Sequence, residues 1–117
     1  MIVEIANSHE GNLEKAVELV KQSRNTNADA IKFQIFLPEE LAVSSHKNFK
    51  LYQKLQFSNS EWKKLFKVGK KLGMKIFADV FGLKSAKLAL KLQVDGLKIH
   101  SSDIENFHLL DFLSKTK

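Results

Sequence analysis

The stretch that decides the fold reads Asn27-Ala28-Asp29-Ala30-Ile31-Lys32-Phe33-Gln34, and it returns as Gln93-Val94-Asp95-Gly96-Leu97-Lys98-Ile99-His100. Each copy is a short apolar segment preceded by an Asp, with one lysine near its C-terminal end. A lysine within an apolar strand is costly to bury, so a strand that keeps one usually needs its charge. The repetition predicts two cations that face one anionic ligand.

Around these two copies, the period of the apolar residues alternates between two, typical of strands, and 3.6, typical of helices. The predicted strands span residues 2–6, 28–35, 74–78 and 94–100. The predicted helices span residues 13 to about 25–27, 58–72, 83–92 and 105–114, with a short helix around 49–55. Strand–helix alternation repeated four times indicates parallel βαβ units with right-handed crossovers.

Local signals support these boundaries. Asn12 is suited to begin the first helix, and Ser58-Asn59-Ser60-Glu61 has the pattern of a capping box. Gly73 marks the end of the helix that follows the box. The segment 36–57 is long and irregular and contains the only proline, Pro38.

Alternation within the strands separates two sheet faces. One predicted face is apolar, whereas the other carries Glu4, Lys32, Gln34, Lys98 and His100. An open doubly wound sheet is covered by helices on both faces and should be apolar on both. A barrel lumen that opens to a ligand at the strand C-termini accounts for a polar face.

Chain length limits how much of a barrel is present. Eight βα units need roughly 200 residues or more, whereas these 117 residues supply four units. We therefore predict an α/β fold of TIM-barrel type, with residues 1–117 as the N-terminal half of a (β/α)8 barrel and an incomplete domain. The chain would be a fragment, a truncated product or one half of a paired assembly. Its first and fourth strands would each present a bare edge.

Composition excludes several classes of function. Apolar residues make up 44% and charged residues 27%, as in globular proteins. Without cysteine the chain has no thiolate-bound zinc, iron–sulfur cluster or disulfide, which agrees with a cytoplasmic location. No apolar run reaches membrane-spanning length and no leader is expected. The net charge of +6 comes mostly from lysines on helix faces, with a single Arg, Arg24, so we expect no nucleic-acid partner.

Candidate site residues lie at or near the C-terminal ends of the four strands: Glu4, Lys32, Gln34, Asp79 and Lys98. In such barrels, side chains at these ends converge on the active site. Two lysines and a glutamate suggest binding of a phosphate and a carboxylate, with a carboxylate base beside them. A buried Lys–Glu network that sets strand register is the structural alternative. The chemical alternative is that a lysine near a strand end forms a Schiff base with the substrate.

Loops after the strands add further candidates. Ser101 begins a Ser-Ser-Asp turn that offers hydroxyl and N–H groups to a phosphate, although Ser and Asp also cap helices. His100 is expected to line the pocket because it shares a face with Lys98. His9 follows the first strand, either as a pocket residue or as a solvated residue or loop organiser. His46 and His108 are expected at the surface.

The same residues carry a family resemblance. The segment 4–11 resembles the E-I-G-x-N-H-x-G signature of the sialic acid synthase family, N-acetylneuraminate synthase and its relatives. The segment 28–34 is similar to that family's A-D-A-V-K-F-Q, and 98–103 resembles its K-I-G-S-G-E/D. The segment 106–110 is similar to its N-x-P-L-L. Order and spacing agree along nearly the whole chain.

The resemblance implies an enzyme that condenses phosphoenolpyruvate with an N-acylated amino sugar, giving a nonulosonic acid and phosphate. It makes Lys32, Lys98 and Ser101 ligands of phosphoenolpyruvate, assigns Gln34 to the sugar, and makes Glu4 the essential carboxylate. Asp79 is added to the substrate-binding residues from its position near a strand end, not from the resemblance. The family uses Mn²⁺ or Mg²⁺, with histidine ligands on strands beyond residue 117, so we expect no metal ligand in this chain. The fragment alone should be inactive, and the full-length protein a homodimer.

Departures from the family pattern surround the pocket. Four positions of the signatures carry a different residue in this chain: Ala6, Ser8, His100 and Ser102. The segment 78–81 stands where the family commonly has S-T-P-F. These changes leave two alternatives open. One is another phosphoenolpyruvate- or phosphosugar-using aldolase on the same barrel. The other is a non-catalytic, degenerate half-barrel retained for binding or assembly.

Overall fold

Four parallel strands form one sheet in the order β1-β2-β3-β4 in a computed structural model that describes residues 1–116. The strands are β1 (Ile2–Ala6), β2 (Ala30–Ile35), β3 (Lys75–Val80) and β4 (Gly96–Ile99). The helices are α1 (Leu13–Asn25), α2 (Pro38–Leu41), α3 (Phe49–Leu55), α4 (Asn59–Lys71), α5 (Leu83–Lys91) and α6 (Phe107–Ser114). Strand order that follows chain order in a parallel sheet is the arrangement of a barrel wall.

The predicted elements are confirmed, with shifts of a few residues at their ends. Strand β3 continues two residues beyond its predicted end, to Val80, because Asp79 and Val80 stay paired with Gln34 and Ile35 of β2. Asp79 therefore lies inside a strand rather than after it. Helix α2 and a short 3-10 turn at Ser101–Asp103 were not predicted.

The helices cover one face of the sheet, as the strand alternation predicted. Ile31, Phe33 and Ile35 of β2 are buried there, together with Ile76 and Val80 of β3. The residues that cover them from the helices are also buried: Ala16 and Val20 of α1, Leu65 and Phe66 of α4, and Ala86 and Ala89 of α5. This apolar layer fixes the register that aligns the polar side chains on the opposite, concave face.

The helix termini carry the caps that the sequence predicts. Asn12 Oδ1 accepts from the Lys15 amide at 2.9 Å at the start of α1. The Glu61 carboxylate accepts from the Ser58 amide at 2.7 Å, and Ser58 Oγ accepts from the Glu61 amide at 3.3 Å. This reciprocal pair is the capping box of α4. Gly73 follows α4 with a φ of +75°, a left-handed conformation that favours glycine.

The last strand is the least buried. Within residues 1–116, β1 and β4 each pair with a neighbour on one side only. Asp95 anchors the start of β4, since its carboxylate accepts from the Ile76 amide at 2.7 Å and its own amide donates to the Ile76 carbonyl at 2.7 Å. Beyond that anchor, Lys98 and Ile99 are exposed.

A groove of about 340 Å³ runs between β4 and α6, lined mainly by apolar side chains such as Leu97, Ile99 and Leu113. None of the helices within residues 1–116 has the length and apolar character needed to cross a bilayer.

Candidate functional site

Strand register places four charged side chains in a row across the concave face. Glu4 of β1 is paired with Lys32 of β2, and Asp79 of β3 is paired with Lys98 of β4. Gln34 of β2 is paired with Asp79 one step further along the strands. Residues two apart in a strand share a face. We call Glu4, Lys32, Asp79 and Lys98 the charged row.

Asp79 joins the two lysines of the charged row. Its Oδ2 lies 3.5 Å from Lys32 Nζ and accepts from Lys98 Nζ at 3.4 Å. Its Oδ1 lies 3.3 Å from Lys98 Nζ but, among the described residues, has no hydrogen-bond partner. Glu4 contacts Lys32 from the other side, with 3.2 Å between Oε2 and Nζ. The ammonium groups of Lys32 and Lys98, the two predicted cations, thus contact the same carboxylate.

The four side chains differ in exposure. Asp79 is 1% exposed and Lys32 is 13% exposed, whereas Glu4 and Lys98 are 48% and 50% exposed. Burial acts to lower the pKa of the Lys32 ammonium. The hydrogen bond to Glu4 and the charges of Asp79 and Glu4 outweigh it, so the pKa of Lys32 is raised above its ordinary value. Lys32 therefore stays a cation at neutral pH.

An open cleft of about 550 Å³ lies over the row. Its lining combines three members of the charged row with apolar side chains: Ile2, Glu4, Lys32, Phe77, Leu97, Lys98 and Ile99. Gly96 leaves room for the Phe77 ring on the floor of the cleft, because a Cβ there would lie 2.3 Å from that ring. A cleft with cations on an apolar floor suits a small anion.

Gln34 is oriented by a residue that sequence reasoning did not single out. Asn7 Nδ2 donates to Gln34 Oε1 at 2.9 Å, which turns the Gln34 amide group toward the end of β1. Asn7 Oδ1 is buried and has no hydrogen-bond partner among the described residues. The position of Asn7, immediately after a strand end, was the signal that could have found it.

His9 lies in the core behind the loop after β1. Its side chain is buried, 4.5 Å from the Phe57 ring, and its Nδ1 accepts from the Gly11 amide at 3.0 Å. Burial, and then the charge of Lys15, lower its pKa. The interpretation of His9 as a solvated residue is wrong because aromatic side chains surround it. The geometry supports its role as organiser of the loop, and it is not among the residues that line the cleft.

The turn after β4 is organised by His100. Its Nδ1 lies 2.9 Å from Ser102 Oγ and 3.3 Å from the Ser102 amide, and its ring packs against Phe81 with centroids 4.9 Å apart. Ser101 is exposed at the start of the 3-10 turn. His46 and His108 are exposed, as predicted.

The model of the NeuB family matches residues 19–117, which is most of the chain. The chain belongs to the NeuB family.

Two curated relatives cover nearly the whole chain. An uncharacterized protein of Methanocaldococcus jannaschii is 30% identical over 116 residues, covering 99% of this chain and 34% of the relative. The N,N'-diacetyllegionaminic acid synthase of Legionella pneumophila is 28% identical, covering 100% of this chain and 37% of that enzyme. The NeuB chain described here thus spans about a third of the length of these relatives.

A solved structure supports the fold. The N-acetylneuraminic acid synthetase of Leptospira borgpetersenii, solved in complex with citrate, superposes with a TM-score of 0.89 at 28% identity. The match covers 97% of this chain and 40% of that structure. The four βα units are consistent with half of a TIM-type barrel, as the sequence predicts.

A metal does not fit the residues described in this NeuB chain. Within residues 1–116, no group of three or more His, Asp or Glu side chains is placed to hold an ion. Both carboxylates of the charged row are engaged with lysines. The expected Mn²⁺ or Mg²⁺ of the family therefore enters no step of the mechanism proposed for these residues.

Proposed function

We propose that this chain supplies the phosphoenolpyruvate-binding half of a nonulosonic-acid synthase. The longer protein would condense phosphoenolpyruvate with an N-acylated amino sugar in the cytoplasm, as a homodimer. The observation that carries the proposal is the convergence of Lys32 and Lys98 on one carboxylate, beside Glu4, at the floor of an open cleft. Membership of a family whose named relatives include acidic-sugar synthases supports the same chemistry.

The residues have distinct roles in this proposal. Lys32 and Lys98 hold the phosphate and carboxylate groups of phosphoenolpyruvate, and Ser101 adds a hydroxyl from the turn after β4. Ammonium groups on a partly apolar floor bind anions more strongly than they do in open water. Gln34, oriented by Asn7, contacts the amino sugar.

Glu4 is the carboxylate closest to the reacting atoms. In the condensation, C3 of phosphoenolpyruvate forms a bond to the aldehyde carbon of the sugar, water adds at C2, and inorganic phosphate leaves. Glu4 is half-exposed on the cleft, where it can take or return a proton. Its contact with Lys32 keeps it at the edge of the cleft. We infer that these residues alone are catalytically silent and that the remaining strands supply the metal.

A Schiff-base aldolase that uses Lys32 is disfavoured by the protonation state of that lysine. Imine formation needs a neutral amine, whereas the raised pKa of Lys32 keeps it protonated. Treatment with a carbonyl substrate and borohydride should leave the mass of the chain unchanged. A stable adduct on Lys32 or Lys98 would favour the aldolase instead.

Amide NMR with phosphoenolpyruvate as the titrant tests the proposal. Saturable shifts should be confined to residues near Lys32, Lys98 and Ser101. Lys98→Ala should weaken binding about tenfold or more, because an ammonium group that contacts the anion is lost. Lys67→Ala, which removes the same charge from the exposed face of α4, should not. Equal affinity in the two variants, or no saturable shift in the wild-type chain, would contradict the proposal.

A further inference from the structure

Helices α4 and α5 carry the positive excess of the chain on their solvent-facing surface. Their eight lysines and one acidic residue, Glu61, amount to +7, against a net charge of +6 for the whole chain. All eight lysines are exposed. We call the lysines of α4 and α5 the lysine face. Because the rest of the chain is close to neutral, this one face sets the sign of the molecule's charge.

The charges of the lysine face are largely uncompensated. The Glu61 carboxylate is held by Ser58 in the capping box of α4. Within residues 1–116, the only ion pair of the lysine face joins Lys84 to Glu39, with 3.3 Å between Nζ and Oε1. An ordinary solvated surface interleaves charges of both signs, as α1 of the same molecule does. Solubility alone therefore does not account for this arrangement.

A surface with charges of one sign carries a cost for the fold. Lysines recur four residues apart, for example at Lys87 and Lys91 of α5, and like charges at that spacing destabilise a helix. The same surface creates an electrostatic field that attracts molecules of opposite charge. An acidic partner would relieve the repulsion between the lysines when it binds.

Two grooves with apolar floors lie along the lysine face. One, of about 460 Å³, has Phe66 and Leu92 among four lysines of α4. The other, of about 390 Å³, has Leu37 and Leu88 beside three lysines of α5. Ammonium groups around an apolar floor match a partner in which apolar side chains alternate with carboxylates.

Among anionic partners, an acidic polypeptide fits this surface best. Phosphate groups are best matched by arginine, which α4 and α5 lack, and single-stranded nucleic acid needs exposed aromatic rings, whereas Phe66 is 3% exposed. A helix bound to a membrane surface inserts projecting apolar side chains. Within α4 and α5, which the structure describes throughout, only Leu83 is a large apolar side chain with that exposure.

We propose that the lysine face is a docking surface for an acidic segment of a partner protein, one in which apolar residues alternate with clustered Asp and Glu. The carboxylates would contact the lysines, and the apolar side chains would enter the two grooves. Helices α4 and α5 cover the apolar face of the sheet, opposite the charged row, so a docked partner leaves the cleft open. This inference does not rest on the proposed function.

A fluorescein-labelled synthetic peptide of repeated Glu-Glu-Leu units is the probe that tests this surface, followed by fluorescence anisotropy. It should bind saturably at low salt, and its affinity should fall as salt is added. A peptide with Gln in place of Glu should not bind. A peptide with Ser in place of Leu should bind about fivefold or more weakly, because the groove floors stay unfilled. Equal affinity of the Leu and Ser peptides, or no saturable binding of the Glu-Glu-Leu peptide, overturns the inference.

Charge reversal locates the binding surface. Lys71→Glu combined with Lys91→Glu changes one lysine beside each groove and should weaken peptide binding about tenfold or more. Lys47→Glu combined with Lys50→Glu, at exposed positions around the start of α3, changes the net charge equally and should weaken it at most about twofold.

Equal losses in the two double variants would overturn the inference, since net charge alone would then govern binding. Tighter binding of a single-stranded oligonucleotide, or of vesicles of anionic phospholipid, than of the peptide at the same salt would overturn it as well. Phosphoenolpyruvate takes no part in these measurements, so its titration decides the proposed function separately.

Discussion

His9 is held in its neutral form by what surrounds it. The ring lies against Phe57 and Trp62, and its Nδ1 accepts from the Gly11 amide, which leaves the proton on Nε2. Charging this ring would place a cation in an aromatic core and repel Lys15 as well. The pKa of His9 is therefore below its ordinary value of 6.5.

This lowered pKa makes stability depend on pH. Because the unfolded chain takes up the proton more readily, the stabilisation is complete above pH about 6.5 and is lost as pH falls through the lower pKa of the folded chain. Urea unfolding at pH 7.5 and at pH 5.5 should show a smaller free energy of unfolding at the acid value. His9→Gln should lose part of that difference and should cost about 1–3 kcal/mol at pH 7.5 through lost packing. His46→Gln, at an exposed position, is the control, and an equal loss of pH dependence in that variant would contradict the assignment.

Helices α2 and α5 are joined by one carboxylate. Glu40 Oε1 accepts from the amides of Lys84 and Ser85 at 2.9 and 3.0 Å, and Glu40 Oε2 accepts from the Leu37 amide at 3.2 Å. The free amides of Lys84 and Ser85 at the start of α5 are thus capped by a residue 44 and 45 positions earlier in the chain. This contact ties the loop after β2 to the loop after β3, both of which border the concave face.

Loss of that cap should be measurable. Glu40→Ala leaves helix amides and the Leu37 amide without their acceptor, so the free energy of unfolding should fall by about 1–2 kcal/mol. Glu39→Ala is the matched control, since Glu39 makes an exposed ion pair with Lys84 at 3.3 Å, and its loss should cost less than about 0.5 kcal/mol. Chemical denaturation of both variants checks the difference, and equal losses would contradict a capping role for Glu40.

At the scale of elements, signals that lie close together in sequence were sufficient for prediction. The capping box at Ser58, the stop at Gly73 and the alternation around Lys32 each specify an element locally. The extension of β3 through Asp79 was missed because it depends on pairing with β2. The cap by Glu40 was missed because it joins segments that are distant in the sequence. Burial of His9 depends on Phe57 and Trp62, which the local sequence of its loop does not reveal.

At the scale of the whole molecule, the four strands are consistent with half of a barrel wall. Among the described residues, β1 and β4 each have one unpaired edge, and apolar side chains are exposed nearby, including Ile2 and Ile99. Unpaired edges next to exposed apolar groups promote association. The prediction of a half-barrel followed from counting strand–helix units. The convergence of the two lysines depends on Asp79 contacting both of them, which no count of residues provides.

Light scattering after size-exclusion chromatography tests whether the chain associates through the unpaired edges of β1 and β4. The apparent mass of the wild-type chain should rise with concentration. Ile99→Lys, which puts a charge into the groove beside β4, should reduce that rise. Val43→Lys is the control, because Val43 is an exposed apolar residue between α2 and α3 and is not part of β1 or β4. A constant monomeric mass at all concentrations, or equal effects of the two substitutions, would contradict edge association.

The weak burial of β4 gives the two lysines different freedom to move. Lys32 is on β2, between two paired neighbours, whereas Lys98 follows the Asp95 anchor on the short outer strand. Strands with few buried contacts open locally at low energy, so amides of β4 should exchange with solvent deuterium faster than those of β2. Opening from the C-terminal end of β4 carries Lys98 away while Lys32 and Asp79 remain in place. An arriving anion would first contact Lys32, which stays fixed. Lys98 would then return with β4 and contact the same anion.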